Sequence, residues 1–299
     1  MSAIKAAIVG YGHIGKGALE ALQAAEDFTL TGVIRRDPGG PQPAELQGIP
    51  VVSSIDDLPG TQVAILCAPT RQVPQMAEAY AQKGVHTVDS YDIHTGILGY
   101  RAQLAPIAKA NNAVCVISAG WDPGSDSVIR ALMQAMAPRG ITYTNFGPGM
   151  SMGHSTAVKA MDGVIDALSM TIPTGTGVHR RMVYVQAQPG VDLAALEQRI
   201  KNDDYFIHDE THINFVPSIE ALANVAHGVR IERSGVSGIS HNQRLGFDMT
   251  INNPALTAQV MTACARACFK LAPGCYTTIE IPPVYLLPGS VDAWIGQLV

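Results

Sequence analysis

The sequence predicts an α/β chain, a doubly wound parallel sheet followed by an α+β domain, and three observations predict it. Short, continuously apolar runs alternate with helix-period stretches through the first third of the chain. A glycine-rich turn stands between the first such run and the first helix. After Gly124 the strand-like stretches lengthen and alternate in polarity. Continuous apolar strands separated by helices imply a parallel sheet covered on both faces, whereas alternation implies a largely antiparallel sheet with one half-buried face.

Taken in order, Lys5–Gly10 reads as a buried strand and Ile14–Ala25 as a helix with apolar residues at helical spacing. Thr29–Ile34 is a second, β-branched run, and the Pro- and Gly-rich stretch Asp37–Pro50 is a loop. Gln62–Cys67 is a third strand, followed by a helix over Val73–Gly84. Val85–Asp89 and Ala113–Ser118 are the fourth and fifth strands. Beyond Gly124, helices are expected at Ser125–Ala137, Gly153–Met161, Leu193–Asn202 and Ser218–Ala226. Strands are expected at Asp166–Pro173, His179–Gln188, His212–Val216, Val229–Val236 and Arg244–Ile251. Asn252-Asn253-Pro254 then opens a helix to about Lys270, since Asn caps well and Pro suits the first turn. The expected domains are residues 1–120 and 121–253, with 254–299 as a last segment.

Composition narrows the function. The chain has 299 residues, 47% hydrophobic and 15% charged, which excludes wholesale disorder. A net charge of −5 argues against a broad nucleic-acid or anionic-membrane surface. No stretch is apolar for the ~18 residues a membrane span needs, so no span is expected, and because the first residues run straight into a strand-like segment no secretory signal is expected either. The five scattered cysteines fit a reducing cytoplasm. Cys264 and Cys268 lie one helical turn apart without a ligand cluster, so they read as core and no metal is expected.

Gly10-Tyr11-Gly12-His13-Ile14-Gly15 matches G-x-G-x-x-G in the context that gives the pattern meaning, after a buried strand and at the start of a helix. The first glycine permits the tight turn, the second lets a pyrophosphate reach the backbone, and the third lets helix and strand pack closely. The first domain is therefore expected to be a Rossmann dinucleotide-binding domain. An NAD enzyme usually places an acid about 20 residues beyond the glycines for the ribose hydroxyls. Here Arg35 and Arg36 arrive before Asp37, and guanidinium groups suit a 2′-phosphate, so NADP is expected over NAD. The alternative is a solvated strand end with Asp37 as ribose ligand. Cys67-Ala68-Pro69-Thr70 follows the third strand, where it either lines the cofactor or is an ordinary Pro-containing loop.

What accompanies the hydride is read partly from absences. Where sugar and inositol oxidoreductases of this architecture carry Glu-Lys-Pro, this chain has Asp89-Ser90-Tyr91-Asp92, without a lysine. Where aldehyde-forming reductases need a cysteine, it has Ser118-Ala119-Gly120-Trp121-Asp122-Pro123-Gly124. Each place offers an acid instead, Asp92 and Asp122. Paired carboxylates suit a cationic amine, which they can hold and relieve of a proton before hydride leaves the adjacent carbon.

These blocks, with Phe146-Gly147, Met152-Gly153-His154 and Asn252-Asn253-Pro254, resemble the meso-diaminopimelate D-dehydrogenase family over nearly the whole chain. His13 stands where Asn is more usual. The resemblance implies reversible NADP-dependent oxidative deamination at the D-centre of meso-2,6-diaminopimelate, giving L-2-amino-6-oxopimelate and ammonia. It implies that Asp92 and Asp122 face the reacting amine beside Trp121, Phe146, Met152 and Gly153. The distal L end would be held by Thr171, Arg181, His227 and Asn253. Ser90 would join the cofactor contacts. Residues 121–253 would be the substrate-binding and dimerisation domain of a homodimer, and 254–299 would pack back on the first domain. Charge logic fits this division, because Arg181 can grip a carboxylate by two parallel hydrogen bonds. Strand alternation sends Arg180 and Arg181 to opposite faces without choosing between them; the resemblance selects Arg181. By residue type alone, His227 also reads as a polar residue near a helix end, Asn253 as a cap, and Phe146 and Met152 as core. Two rivals are an amino- or imino-acid reductase with a smaller substrate and a non-catalytic NADP(H) sensor.

Overall fold

In the computed structural model, which describes residues 3–222 and 226–299, the first apolar run forms β1 (Ile4–Val9) and the glycine turn leads into α1 (His13–Gln23). The chain continues through β2 (Phe28–Ile34), β3 (Val51–Val52), β4 (Val63–Leu66), α2 (Val73–Gln82), β5 (His86–Asp89), α3 (Ile97–Ala110), β6 (Val114–Val116) and α4 (Ser125–Met136). Then come β7 (Arg139–Phe146), β8 (Gly149–Ser151), α5 (Met152–Lys159), β9 (Val164–Gly175), β10 (Val178–Ala187), α6 (Leu193–Lys201) and β11 (Glu210–Phe215). The last elements are β12 (His227–Ser237), β13 (Ser240–Ile251), α7 (Asn253–Ala267), β14 (Gly274–Tyr276) and α8 (Val291–Leu298). One unit runs to Val128 and resumes at Pro254; the other is Ile129–Asn253.

In the first unit seven strands pair in parallel in the order β14-β6-β5-β4-β1-β2-β3. Without β14 this is the 3-2-1-4-5-6 order of a dinucleotide-binding sheet, whose direction of winding reverses between β1 and β4. Alternate residues of each strand feed the two faces. Ala6 and Ile8 pack with Leu19 and Leu22 of α1 and with Met261, Cys264 and Cys268. Ala7, Val9 and Leu66 pack with Ala77 of α2 and Leu104 and Ala108 of α3. The returning segment is thus part of this unit's core, which is why Cys264 and Cys268 lie buried; burial pushes the Cys264 thiol up to about 12. Arg266 fastens it further through a two-pronged pair with Asp27, at 2.8 Å from Nη2 to Oδ1, and that guanidinium holds the Asp27 carboxyl below its ordinary value.

Several elements differ from expectation. The C-terminal segment adds a strand as well as a helix, since Gly274–Tyr276 pairs with Val114–Val116. α3 has no counterpart among the expected helices, although Tyr100, Leu104 and Ala108 recur at helical spacing on its buried side. The second unit contains two sheets where one was expected, β11-β10-β9-β8 and β13-β12-β7. β11 runs parallel to β10, and the other pairs are antiparallel. The helix expected over Ser218–Ala226 is only a 3-10 turn at Glu220–Leu222, and residues 223–225 lie outside the described residues. His227 is correspondingly no helix-end residue: it opens β12, opposite Ile251.

Packing in the second unit follows the alternation of its strands. Val183 and Val185 of β10 pack with Leu196 and Ile200 of α6 and with Phe206. The buried Arg233 caps the end of α4, donating from Nε to the Ala137 carbonyl at 2.7 Å and from Nη1 to Thr142 Oγ1 at 2.7 Å. A hydrogen-bonded guanidinium is tolerated there because its donors replace water around the helix-terminal carbonyls. Among the described residues no helix is long and apolar enough to cross a membrane.

Candidate active site

The glycine turn lies at the reversal of the sheet. Gly10 has φ +88°, and a Cβ there would stand 2.7 Å from the Cys67 carbonyl oxygen, so the ends of β1 and β4 meet only because this residue is glycine. A Cβ on Gly15 would collide with the Gly10 carbonyl at 2.4 Å, whereas nothing lies within 4 Å of one on Gly12. The backbone face at Gly12 therefore has room for a pyrophosphate, and α1 begins at His13 and Ile14 with no side-chain cap and no acid in its first turn. Those are the properties of a helix N-terminus that receives an anion. The Tyr11 phenol is pushed up to about 12 by burial and by the nearby Glu45 carboxylate, so it stays neutral. Burial likewise pushes the Cys67 thiol up to about 12, which leaves it no thiolate character.

At the end of β2, Arg35 is half-buried and Arg36 exposed. Arg35 Nη1 donates to Gln42 Oε1 at 2.9 Å and holds the following loop. Asp37 accepts the Gly40 amide at 3.1 Å in a local turn. A carboxylate committed to its own loop is a poorer ribose ligand than a free one.

Asp92 and Asp122 stand on the loops after β5 and β6, at the carboxyl edge of the parallel sheet. Thr70 Oγ1 accepts the Asp92 amide at 3.2 Å, so the loop Cys67-Ala68-Pro69-Thr70 touches the acid-bearing loop directly. Trp121 is buried, and Asp122 is half-buried in a turn closed on itself. In that turn the Gly120 amide donates to the Pro123 carbonyl at 3.1 Å and the Ser125 amide to Gly120 at 3.1 Å. Ser90 packs against it, 3.5 Å from where a Gly120 Cβ would stand.

In the second unit Thr171 of β9 faces Arg181 of β10 across the antiparallel pair, and the guanidinium donates to the Thr171 hydroxyl. Arg181 Nε also pairs with Asp209 at 2.5 Å. The Arg181 side chain is 12% exposed and that of Arg180 43%. Phe146 ends β7, and its amide donates to His179 Nε2 at 2.7 Å with the two rings 5.3 Å apart. Met152 and Gly153 begin α5, and Asn253 begins α7. His227 is buried, and its Nδ1 accepts the Gly228 amide at 2.7 Å. It lines a cavity of about 620 Å³ together with Asn145, Arg230, Asp248 and Thr250; Thr171 and Arg181 do not line it.

Three supporting residues escaped the sequence reading: Asp209 beside Arg181, His179 beneath Phe146, and Asp89, which is fully buried. Only Asp89 gave a signal, an acid ending a parallel strand whose last residues are buried. The described residues contain no cluster of three or more His, Cys, Asp or Glu arranged to hold a metal.

Comparison with known proteins then bears on the whole chain. A family model described as Oxidoreductase family, NAD-binding Rossmann fold, matches residues 4–89, and one described as Diaminopimelic acid dehydrogenase C-terminal domain matches residues 120–178. The chain is 57% identical over 299 residues to meso-diaminopimelate D-dehydrogenase of Bacteroides fragilis, covering 100% of both chains. It is 35% identical to the Lysinibacillus sphaericus enzyme of the same name, covering 97% of each. Among solved structures it resembles C. glutamicum DAP dehydrogenase in complex with DAP, with a TM-score of 0.90 and 28% identity over 100% of both chains. It also resembles an engineered D-amino acid dehydrogenase bound to NADP+, with a TM-score of 0.91 and 27% identity over 100% of both.

Proposed function

The chain belongs to the meso-diaminopimelate D-dehydrogenase family, and from that premise we propose which of its residues carry the chemistry. It is an NADP-dependent enzyme of diaminopimelate and lysine biosynthesis. It deaminates the D-centre of meso-2,6-diaminopimelate to L-2-amino-6-oxopimelate and ammonia, reversibly. Gly10–Gly15 receive the pyrophosphate, Arg35 and Arg36 the 2′-phosphate, and Cys67–Thr70 with Ser90 border the nicotinamide ribose. When bound, NADP+ supplies the acceptor for the hydride.

The observation that carries the reading is that two successive loops at the carboxyl edge of the sheet each present an acid, Asp92 and Asp122. They hold the D-ammonium group, and one of them takes its proton, freeing the nitrogen lone pair that drives hydride from the D-carbon. The resulting imine takes up water and releases ammonia. Trp121, Phe146, Met152 and Gly153 shape the walls around the reacting carbon and exclude water. Arg181 grips the distal carboxylate, with Thr171, His227 and Asn253 completing the anchor at the L end. Asp209 steadies the guanidinium for this task, and anchoring that end decides which C–H is presented.

The deciding experiment follows NADPH absorbance with pure meso-diaminopimelate and with its L,L isomer as the stereochemical control. Activity is expected with the meso form only. Equal turnover of simple D-amino acids would instead favour a broader amino-acid dehydrogenase. In the same assay Arg36→Ala is expected to lower the preference for NADP+ over NAD+ about tenfold or more, the worth of a charge-assisted phosphate contact. An unchanged ratio would remove Arg36 from the 2′-phosphate site. We further assign the enzyme to the cytoplasm, which suits its free cysteines. The homodimer is assigned to the second unit, where Ile141, Ile165 and Val178 are more than half exposed. Sedimentation at the mass of one 31.6-kDa chain would overturn that assembly.

A further inference from the structure

We propose that Asp89 is a positioning residue for the reaction, fixing the loops of Asp92 and Asp122 against each other through one shared carboxylate oxygen. The inference rests on the assignment of those two acids. The β5–β6 ladder ends at Val88 and Val116. Beyond it Asp89 takes over the pairing: Oδ1 accepts the Tyr91 amide at 2.9 Å and the Ser118 amide at 3.1 Å. Its carbonyl accepts the Ala119 amide at 2.7 Å. The other oxygen, Oδ2, accepts the Tyr100 hydroxyl at 2.8 Å and so anchors the carboxylate to α3.

Both amides on Oδ1 belong to the chain just before an acid. Tyr91 precedes Asp92, and Ser118 opens the stretch that leads to Trp121 and Asp122. Ser118 sits at φ +54°, a left-handed conformation that a serine holds only under constraint, and its amide is one of the constraints. An apolar residue would end a buried strand at less cost, because burial works against the charged form and pushes the Asp89 carboxyl up to about 6. The titratable groups facing it are Tyr91, Tyr100, Cys115 and Cys275, all held neutral by burial. No cation offsets the charge among them. What the carboxylate secures in return is a single oxygen with two lone pairs, one for each loop.

The test uses three variants of the full-length enzyme. Asp89→Asn keeps an oxygen for both amides and turns its NH2 toward the Tyr100 hydroxyl, so turnover is expected within about threefold of the parent. Asp89→Leu keeps the shape and loses both acceptors, and kcat is expected to fall about 100-fold, the usual consequence of ångström-scale misplacement. NADP+ affinity, set by the glycine turn and the arginines, should stay within about threefold in both variants. Should Asp89→Leu fail to fold, Asp89→Ser stops one atom short of the amides and carries the same expectation. Folded Asp89→Leu or Asp89→Ser turning over like the parent would overturn the proposal. So would an Asp89→Asn loss as deep as that of Asp89→Leu, since charge rather than position would then matter. Asp122→Asn, run alongside, separates the two levels. If it and Asp92→Asn also keep full turnover, the acid assignment and the positioning role fall together. If it loses turnover while Asp89→Leu does not, only the positioning role falls.

Discussion

Asp122→Asn is expected to lower turnover of meso-diaminopimelate by roughly 10²- to 10⁴-fold, the range seen when a general acid or base is removed. The affinity for NADP+ should barely change, because the residues proposed for the phosphates lie on the turn after β1 and at the end of β2, on other loops of the sheet. The substitution is nearly isosteric, so the Gly120–Gly124 turn and the melting temperature should also be kept. What is lost is the capacity to attract an ammonium group and to accept its proton. A primary ammonium cannot release hydride from its own carbon, since the lone pair that must push it out is still bonded to hydrogen. The fall should therefore appear in kcat, with the coenzyme dissociation constant unaltered. Asp92→Asn read beside it distinguishes the two acids. The one whose loss is deeper is the proton acceptor, and equal losses that fail to add in the double variant would mark a pair acting as one unit. Loss of NADP+ binding with unchanged turnover of the bound fraction would remove Asp122 from the chemistry.

The cofactor half of this architecture was legible in the sequence for a physical reason. A buried parallel strand leaves a continuous apolar run, and a turn that must admit phosphate leaves glycines at set intervals. Both signals are local. Val51–Val52 and Gly274–Tyr276 are strands of two and three residues placed directly after Pro50 and Pro273, without the longer apolar run that surrounds the equally short Val114–Val116, so two of the seven strands were unreadable. α3 was obscured by Gly99 and by Pro106 inside the helix, which outweigh in local propensity the Tyr100–Leu104–Ala108 face it buries. At Ser218–Ala226 the alanines and leucine suggested a helix, yet the pairing of His227 with Ile251 and the residues after it makes a strand the next regular element.

The two acids were singled out because their loops could be compared with what other oxidoreductases need there. Their supports were not, because every one is a tertiary contact. Asp89 reaches Ser118 over 29 residues of sequence, Arg181 reaches Asp209 over 28, and Phe146 reaches His179 over 33. No periodicity links such pairs; only the folding of separate strands onto neighbouring positions does. Residue type and loop position singled out the proposed acids, and topology alone revealed what holds their loops.

That distinction makes Gly124→Ala the second large expected effect, although residue 124 has no side chain to contribute. Gly124 has φ +149°, and a Cβ added there would stand 1.8 Å from the Gly120 carbonyl oxygen and 2.6 Å from its carbon. Neither atom can move aside as a flexible side chain would, because the Gly120 carbonyl is already the acceptor for the Ser125 amide and the Gly120 amide donates to Pro123. Relief requires the turn to open. Opening it releases the Gly124 carbonyl from the buried Thr278 hydroxyl, now 2.9 Å away, and shifts Trp121 and Asp122 together. Backbone strain of this kind with a broken buried hydrogen bond costs about 3 kcal/mol or more. That should lower the melting temperature by roughly 5 °C or more. Turnover should fall about 100-fold with it, since the acid is displaced rather than altered. Asp122→Asn and Gly124→Ala thus reach a similar loss of turnover by different routes, the first at full stability and the second below it. NADP+ titration should still find a site in both, because the glycine turn after β1 is remote in sequence from this loop. A Gly124→Ala protein that melts and turns over like the parent would show that the turn tolerates a side chain, and that the position of Asp122 does not depend on its closure.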